Sequence, residues 1–179
     1  MTRRTAASLV RAGIRGCVLC ILRVQASYRA ETLYALSLGR TIICSNHVSL
    51  IDGVIVALTS PVPLTFGVDT DFSVRSKITR KGMAALAWLG FGSVVPIDST
   101  LPFGIRALAK ALDRGESVMI FPEGRISATG QPGAEQPGVE WLAKRTGARV
   151  RRIRIAGAEN SRLFAKAGRQ FWPRVQVFF

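Results

Sequence analysis

His47 and Asp52 are the residues of this chain whose types and spacing best suit chemistry. They lie in the stretch NHVSLID, and His47 is the only histidine in the sequence. A histidine can act as a general base near neutral pH, and a carboxylate on its other ring nitrogen fixes the tautomer and stabilises the imidazolium. The pair alone is a weak motif. No GxSxG motif and no cysteine in a polar setting accompanies it, so the attacking oxygen would belong to a substrate.

A second candidate motif, FPEGR, spans Phe121 to Arg125 and directly follows an apolar run. Gly124 would let the backbone approach a ligand closely, and Arg125 suits bidentate contact with a phosphate. The alternative is an ordinary turn with one solvated arginine. Without His47 elsewhere in the chain, that alternative would be the better interpretation.

Short apolar runs predict the strands that position both motifs. The predicted strands are Thr41–Cys44, Leu64–Val68, Ser93–Ile97 (closed by a turn at Asp98), Ser117–Phe121, Ala148–Ile155 and Arg174–Phe179. Helices are predicted over Gly53–Thr59, Met83–Leu89, Phe103–Leu112 and Val139–Thr146. Strands that alternate with helices indicate a single α/β domain with helices on the faces of its sheet.

The first 30 residues form a distinct basic segment. They contain six arginines and no acidic residue, and the longest uncharged run, Gly16–Leu22, is too short to span a bilayer. This composition predicts a basic amphipathic helix that lies in a membrane interface. The alternative is a packing helix with a solvated basic face. We therefore divide the chain into residues 1–30 and a domain over residues 31–179.

The composition describes a folded and strongly basic protein. Hydrophobic residues make up 48% and charged residues 20%, and the formal net charge is +14. Such a charge attracts phosphates, anionic lipids or an acidic partner protein. Nucleic acid is a rival ligand, but the sequence lacks an RNP-like aromatic motif, a zinc-finger spacing and a lysine-rich tail.

The three cysteines predict neither a redox centre nor a metal site. Cys17 and Cys20 have redox spacing but no preceding βαβ pattern, and Cys44 lies in an apolar run. Free cysteines in apolar settings commonly act as small hydrophobic residues, which favours a reducing, cytoplasmic-side location. One histidine and scattered acids predict no metal site.

Together the two motifs resemble those of the glycerolipid acyltransferase family. NHVSLID is similar to that family's first block, NHxSxxD, and FPEGR to its third block, in the same order and at a similar separation. Within the family, NHVSLIDG, VPID, IFPEGRISATG and RIAGAE most resemble the acyltransferase domain of the bacterial bifunctional 2-acylglycerophosphoethanolamine acyltransferase / acyl-carrier-protein synthetases. The resemblance implies a mixed β-sheet flanked by helices.

The sequence departs from the family pattern at three places. The third block commonly reads FPEGTR, whereas Arg125 follows Gly124 directly. An arginine usually ends the second block, where this chain has Ile97-Asp98, and the strand around residues 150–153 lacks the usual proline. These departures weaken a lysophosphatidate interpretation and leave lysophosphatidylethanolamine as the expected acceptor.

The resemblance implies an enzyme that moves a fatty acyl group from an acyl carrier protein or coenzyme A thioester to the free hydroxyl of a lysophospholipid, with no further cofactor. The alternatives are a 1-acylglycerol-3-phosphate acyltransferase and a non-catalytic basic module that binds membrane or nucleic acid. His47 would be the base and Asp52 its orienting carboxylate. The implied substrate-binding residues are Asn46, Ser49, Glu123, Gly124 and Arg125, with Arg106 as a further basic contact or a solvated helix arginine.

The resemblance also implies a place and a context for the chain. An enzyme of this type would work at the cytoplasmic face of the inner membrane as a peripheral or monotopic protein, in contact with anionic lipid. The apolar ending Val177-Phe178-Phe179 suggests a domain of a longer protein, in which a ligase domain would follow.

Overall fold

A computed structural model describes residues 3–69, 87, 90–97 and 103–179. Apart from Ala87, the predicted helix Met83–Leu89 lies outside these residues, and so does the predicted turn at Asp98.

The described residues form one seven-stranded sheet in the order β1-β7-β6-β2-β5-β3-β4. The strands are β1 (Val24–Ser27), β2 (Thr41–Ser45), β3 (Leu64–Asp69), β4 (Gly92–Ile97), β5 (Ser117–Ile120), β6 (Arg149–Ala156) and β7 (Val175–Phe178). Neighbouring strands are parallel except β6 and β7, which are antiparallel. The predicted α/β fold with a mixed sheet is therefore confirmed.

Helices cover both faces of the sheet. Among the described residues they are α1 (Arg3–Ile21), α2 (Ala30–Ser37), α3 (Asp52–Thr59), α4 (Phe103–Asp113) and α5 (Gly138–Thr146), with a short 3-10 helix over Ala158–Asn160. Residues of α2 and α3 pack in one buried cluster, and residues of α4 and α5 pack in a second cluster on the opposite face. No helix in the described part of the chain is long and apolar enough to cross a bilayer.

The central strand β2 explains why the stretch before His47 is so apolar. All five of its residues are buried, because β6 and β5 flank it and helices cover both of its faces. Side chains alternate along a strand, so Ile43 joins the α2–α3 cluster while Ile42 and Cys44 join the α4–α5 cluster.

The first 40 residues contain two elements that the sequence did not predict. Strand β1, with the sequence VQAS, pairs with β7, and helix α2 follows it. VQAS is half-exposed and weakly apolar, so its extended form depends on pairing with β7 rather than on its own sequence. The predicted amphipathic helix is present as α1, where Cys17 and Cys20 are exposed, unlike the buried Cys44.

Candidate active site

Both sequence motifs lie at one edge of the sheet. Strands β6, β2 and β5 are parallel neighbours, so their carboxyl ends meet at the same edge. Asn46 follows β2 and Phe121 follows β5. The structure therefore brings His47 and the FPEGR motif together.

His47 is paired with Asp52. The distance from His47 Nδ1 to Asp52 Oδ2 is 3.0 Å, and the exposed fractions of the two side chains are 19% and 0%. A carboxylate can only accept this hydrogen bond, so we assign the proton of the neutral imidazole to Nδ1. The lone pair of Nε2 is then available to take a proton from a bound molecule.

The loop between His47 and α3 is folded around the Asp52 carboxylate. The backbone N–H groups of Val48 and Ser49 donate to Asp52 Oδ2 at 2.6 and 2.8 Å, and the Ser49 hydroxyl donates to Asp52 Oδ1. A buried carboxylate needs such partners to stay charged at acceptable cost. Ser49 therefore helps to hold the acid that orients His47.

Phe121 packs directly on the candidate base. The rings of His47 and Phe121 are stacked, with centroids 4.1 Å apart and an angle of 16° between their planes. The first residue of FPEGR thus limits rotation of the imidazole. No role for Phe121 was predicted from the sequence, because its contact with His47 depends on the pairing of β5 with β2.

Glu123 joins the two loops through backbone groups. Its buried carboxylate accepts hydrogen bonds from the N–H of His47 at 3.2 Å and of Gly133 at 2.9 Å. A third link runs from the Ser127 N–H to the His47 carbonyl at 2.8 Å. The backbone of His47 is therefore fixed from the FPEGR side as well.

Asn46 joins the start of the loop between β2 and α3, residues 46–51, to β6. We call this segment the His47 loop. Its side-chain amide donates to the Ile155 carbonyl and accepts from the Ile155 N–H, both at 2.9 Å. The amide thus bonds β6 as a strand backbone would. The polar atoms of Asn46 are occupied within the protein, as are those of Ser49 and Glu123.

Arg125 points away from these contacts. It is exposed, and it follows Gly124, whose φ of +68° lies in the left-handed region that favours glycine. Among the described residues the Arg125 side chain has no hydrogen-bond or ion-pair partner. Arg106 is exposed in the first turn of α4, outside the two loops.

A family model described as Acyltransferase matches residues 26–156, a range that contains both loops. The chain belongs to this acyltransferase family. The crystal structure of the 1-acyl-sn-glycerophosphate (LPA) acyltransferase PlsC from Thermotoga maritima is similar, with a TM-score of 0.60 and 18% sequence identity. The match covers 99% of this chain and 69% of that chain and shows that the two proteins share a fold.

The site of this acyltransferase contains the candidate base His47 but, among the described residues, no activated nucleophile beside it. Burial raises the pKa of the Cys44 thiol to about 11, so that it is neutral at physiological pH. The hydroxyl of Ser45 donates to Asn46, and that of Ser49 donates to Asp52. The described residues also contain no group of three or more His, Cys, Asp or Glu side chains that could hold a metal ion. The arrangement suits deprotonation of a hydroxyl that a substrate brings.

Proposed function

We propose that this acyltransferase moves a fatty acyl group from a thioester to the free hydroxyl of a lysophospholipid, with lysophosphatidylethanolamine as the acceptor. The observation that carries the proposal is the His47–Asp52 pair, held at 3.0 Å beside the FPEGR loop. Such a pair is a general base, and acyl transfer to an alcohol needs one.

In the proposed reaction, Nε2 of His47 takes the proton from the acceptor hydroxyl as its oxygen attacks the thioester carbonyl. Asp52 keeps the imidazole in the reactive tautomer and stabilises the imidazolium that forms. The carbon–sulfur bond then breaks, and the leaving thiolate receives the proton from His47. The products are an ester on the lipid and the free thiol of the carrier.

Arg125 is the proposed contact for the phosphate of the acceptor headgroup. It is exposed on the loop whose Phe121 stacks on His47, and a guanidinium matches two phosphate oxygens. We assign Asn46, Ser49 and Glu123 to positioning of the loop, because their polar atoms are engaged within the protein. This differs from the expectation that all three contact substrate. Gly124 allows close approach to the phosphate, and Arg106 is retained as a more distant basic contact.

The choice of acceptor and donor rests on sequence resemblance and charge. The sequences VPID and IFPEGRISATG resemble the corresponding sequences of enzymes that act on lysophosphatidylethanolamine. At the position where a lysophosphatidate enzyme is expected to have an arginine, this chain has Ile97-Asp98. Acyl carrier protein and coenzyme A are both acidic, which suits a net charge of +14. PlsC from Thermotoga maritima is a 1-acyl-sn-glycerophosphate acyltransferase, and that acceptor is the alternative for this chain.

The proposed location is the cytoplasmic face of the inner membrane, with α1 in the interface. Leu9, Val10 and Ile21 of α1 are exposed, and arginines separate them along the helix. Exposed apolar residues on a basic helix suit the boundary between acyl chains and anionic headgroups.

A panel of lysolipids tests the proposal. Lysophosphatidylethanolamine, lysophosphatidate and lysophosphatidylcholine would each be supplied with acyl carrier protein and coenzyme A thioesters, and product would be measured by mass spectrometry. We expect the highest kcat/KM with lysophosphatidylethanolamine and a strongly reduced rate with His47→Ala. A higher kcat/KM with lysophosphatidate would establish the alternative acceptor. No turnover of any acceptor by the folded protein would indicate a binding module.

A further inference from the structure

The connection between β6 and β7 carries an exposed aromatic pair that the acyl-transfer site does not use. Phe171 is 65% exposed and Trp172 is 40% exposed. Large apolar side chains that lie together on a surface mark a contact with a protein or a membrane. The exposed pair therefore indicates a surface that contacts a protein or a membrane.

Backbone hydrogen bonds hold this connection in one shape. The N–H of Arg162 donates to the Gln170 carbonyl at 2.8 Å, and the N–H of Gln170 donates to the Asn160 carbonyl at 2.9 Å. A Cβ added at Gly168 would lie 2.1 Å from the Ser161 carbonyl oxygen, so only glycine permits this close approach. The aromatic pair is thus presented by a fixed loop.

Trp172 joins this loop to the end of α1. Its indole N–H donates to the Ile21 carbonyl at 2.6 Å, and the Arg23 guanidinium donates to the Trp172 carbonyl at 3.1 Å. The side chain of Ile21 is exposed. The aromatic pair therefore continues the exposed apolar surface of α1.

The connection between β6 and β7 also contacts the His47 loop. The N–H of Leu50, in the NHVSLID stretch, donates to the Phe164 carbonyl at 2.8 Å, and Ile51 and Phe171 line one apolar cavity. The exposed apolar residues of the three segments form a surface that we call the aromatic patch. It consists of Ile21, Leu50, Leu163, Phe171 and Trp172.

The connection that carries the aromatic pair is predominantly basic, with Glu159 as its one acidic residue. Between Ser161 and Arg174 the connection carries four basic residues and no acidic residue. Trp and Phe at the level of lipid headgroups, with basic residues beside them, are typical of the interface of an anionic bilayer. Duplex nucleic acid would match the charge, but its bases are stacked inside the helix and offer Phe171 no apolar layer.

We propose that the aromatic patch enters the headgroup region of an anionic bilayer and sets the His47 loop against the lipid surface. This inference rests on the proposed function, in which the acceptor is a membrane lipid. It adds a second contact to the one proposed for α1, supplied by a loop that carries neither sequence motif. An acceptor in the bilayer then meets Leu50 and the patch on its way to His47.

Fluorescence of single-tryptophan variants tests the position of the patch. In the Trp88→Phe, Trp141→Phe variant, Trp172 is the only tryptophan left. We expect its emission to shift to shorter wavelength on phosphatidylglycerol vesicles and to be quenched when the lipids are brominated. The matched control, Trp88→Phe with Trp172→Phe, leaves Trp141, which is 45% exposed on α5 and should not be quenched. Equal quenching of both, or of neither while the protein is bound, would overturn the proposal.

A vesicle partition assay tests the energetic contribution of the patch. Phe171→Ser should weaken partition into phosphatidylglycerol vesicles by about tenfold or more, since it removes a phenyl ring from the lipid. Trp141→Ser should leave partition unchanged. Wild-type partition by Phe171→Ser would contradict the proposal, as would Phe171-dependent binding of duplex DNA without vesicle binding.

Failure of the proposed function would be visible separately. Turnover of a water-soluble, short-chain lysolipid by the wild-type protein needs no vesicle. If that turnover is absent while Trp172 is quenched by brominated lipid, the acyl-transfer proposal fails and the membrane contact stands.

Discussion

The loop after β2 and the loop after β5 leave the same edge of the sheet, but they use their polar groups differently. Asn46, Ser49 and Asp52 direct theirs into the protein, onto β6 or onto one another. The second loop ends its motif with Gly124 and Arg125, which face outward. The first loop holds the proposed base in place, and the second exposes the residues that we propose bind the acceptor.

The FPEGR motif itself divides along the same line. Phe121 stacks on the His47 ring and Glu123 accepts from the His47 N–H, whereas Arg125 is exposed. Five consecutive residues thus support the base and offer a cation to the substrate. Substitutions in the two halves should therefore affect different kinetic constants, kcat for the inward half and KM for the outward half.

The largest effect is expected from His47→Ala, which removes the base and leaves the surrounding loop intact. Acyl transfer from thioester to lysolipid should fall by about 10²- to 10⁴-fold, the usual contribution of a positioned general base. The circular dichroism spectrum should match that of the wild type. Wild-type turnover by this variant would show that His47 is not the general base.

Asp52→Asn should lower kcat by about 100-fold or more, because the amide no longer holds the imidazole in one tautomer. It should also lower the free energy of unfolding by about 1–3 kcal/mol, since the Val48 and Ser49 N–H groups lose a charged acceptor. Kinetics and urea unfolding would be measured on the same preparation. A loss of stability with unchanged kcat would assign Asp52 to structure alone.

Arg125→Ala should raise KM for the lysolipid by about tenfold or more and change kcat little, as expected for loss of a charge-assisted phosphate contact. Arg125→Lys should recover part of the affinity, because the charge returns without the bidentate geometry. Arg106→Ala serves as the comparison, with a smaller expected rise in KM. If Arg125→Ala lowers kcat and leaves KM unchanged, the outward half of the motif does not bind the acceptor.

Glu123→Gln should have a smaller effect and act on the inward half. Glutamine keeps one acceptor oxygen, so either the His47 or the Gly133 N–H loses its partner, at a cost of about 1–2 kcal/mol in unfolding free energy. We expect kcat to fall by about fivefold through the changed position of His47, with KM unchanged. A rise in KM alone would instead make Glu123 a substrate contact.

The sequence predicts the central strand β2 and the edge strand β4 but misses the edge strand β1. TIICS has an apolar centre, Ile42-Ile43-Cys44, because both faces of the strand are covered, and this signal is local. VQAS, the strand β1, depends on pairing with β7, far along the chain, and its own residues carry little information. The same limit applies to α2, a short helix of eight residues with a weak apolar pattern.

The site divides in the same way. The placement of His47 and FPEGR at one sheet edge follows from strand ends that the sequence reveals. The stack of Phe121 on His47 and the bond of Asn46 to Ile155 depend on the order and register of β6, β2 and β5, which no local pattern specifies. The candidate pair His47–Asp52 could therefore be predicted from the sequence alone. The residues that position the pair could be identified only from the structure.

Substitution of Cys44 has the smallest expected effect and tests whether the site has a nucleophile of its own. Burial raises the pKa of its thiol from 9.0 to about 11, so the neutral form favours the folded state below pH 9 and this contribution is lost as the pH rises from 9 to 11. At pH 8, iodoacetamide should therefore label the exposed Cys17 and Cys20 and leave Cys44 unmodified in the native protein, as peptide mass spectrometry would show. Cys44→Ala should keep kcat within about twofold, because an inert thiol takes no part in the reaction. Rapid labelling of Cys44, together with loss of turnover in Cys44→Ala, would mean that the acyl group passes through the enzyme and that His47 activates a thiol rather than the substrate hydroxyl.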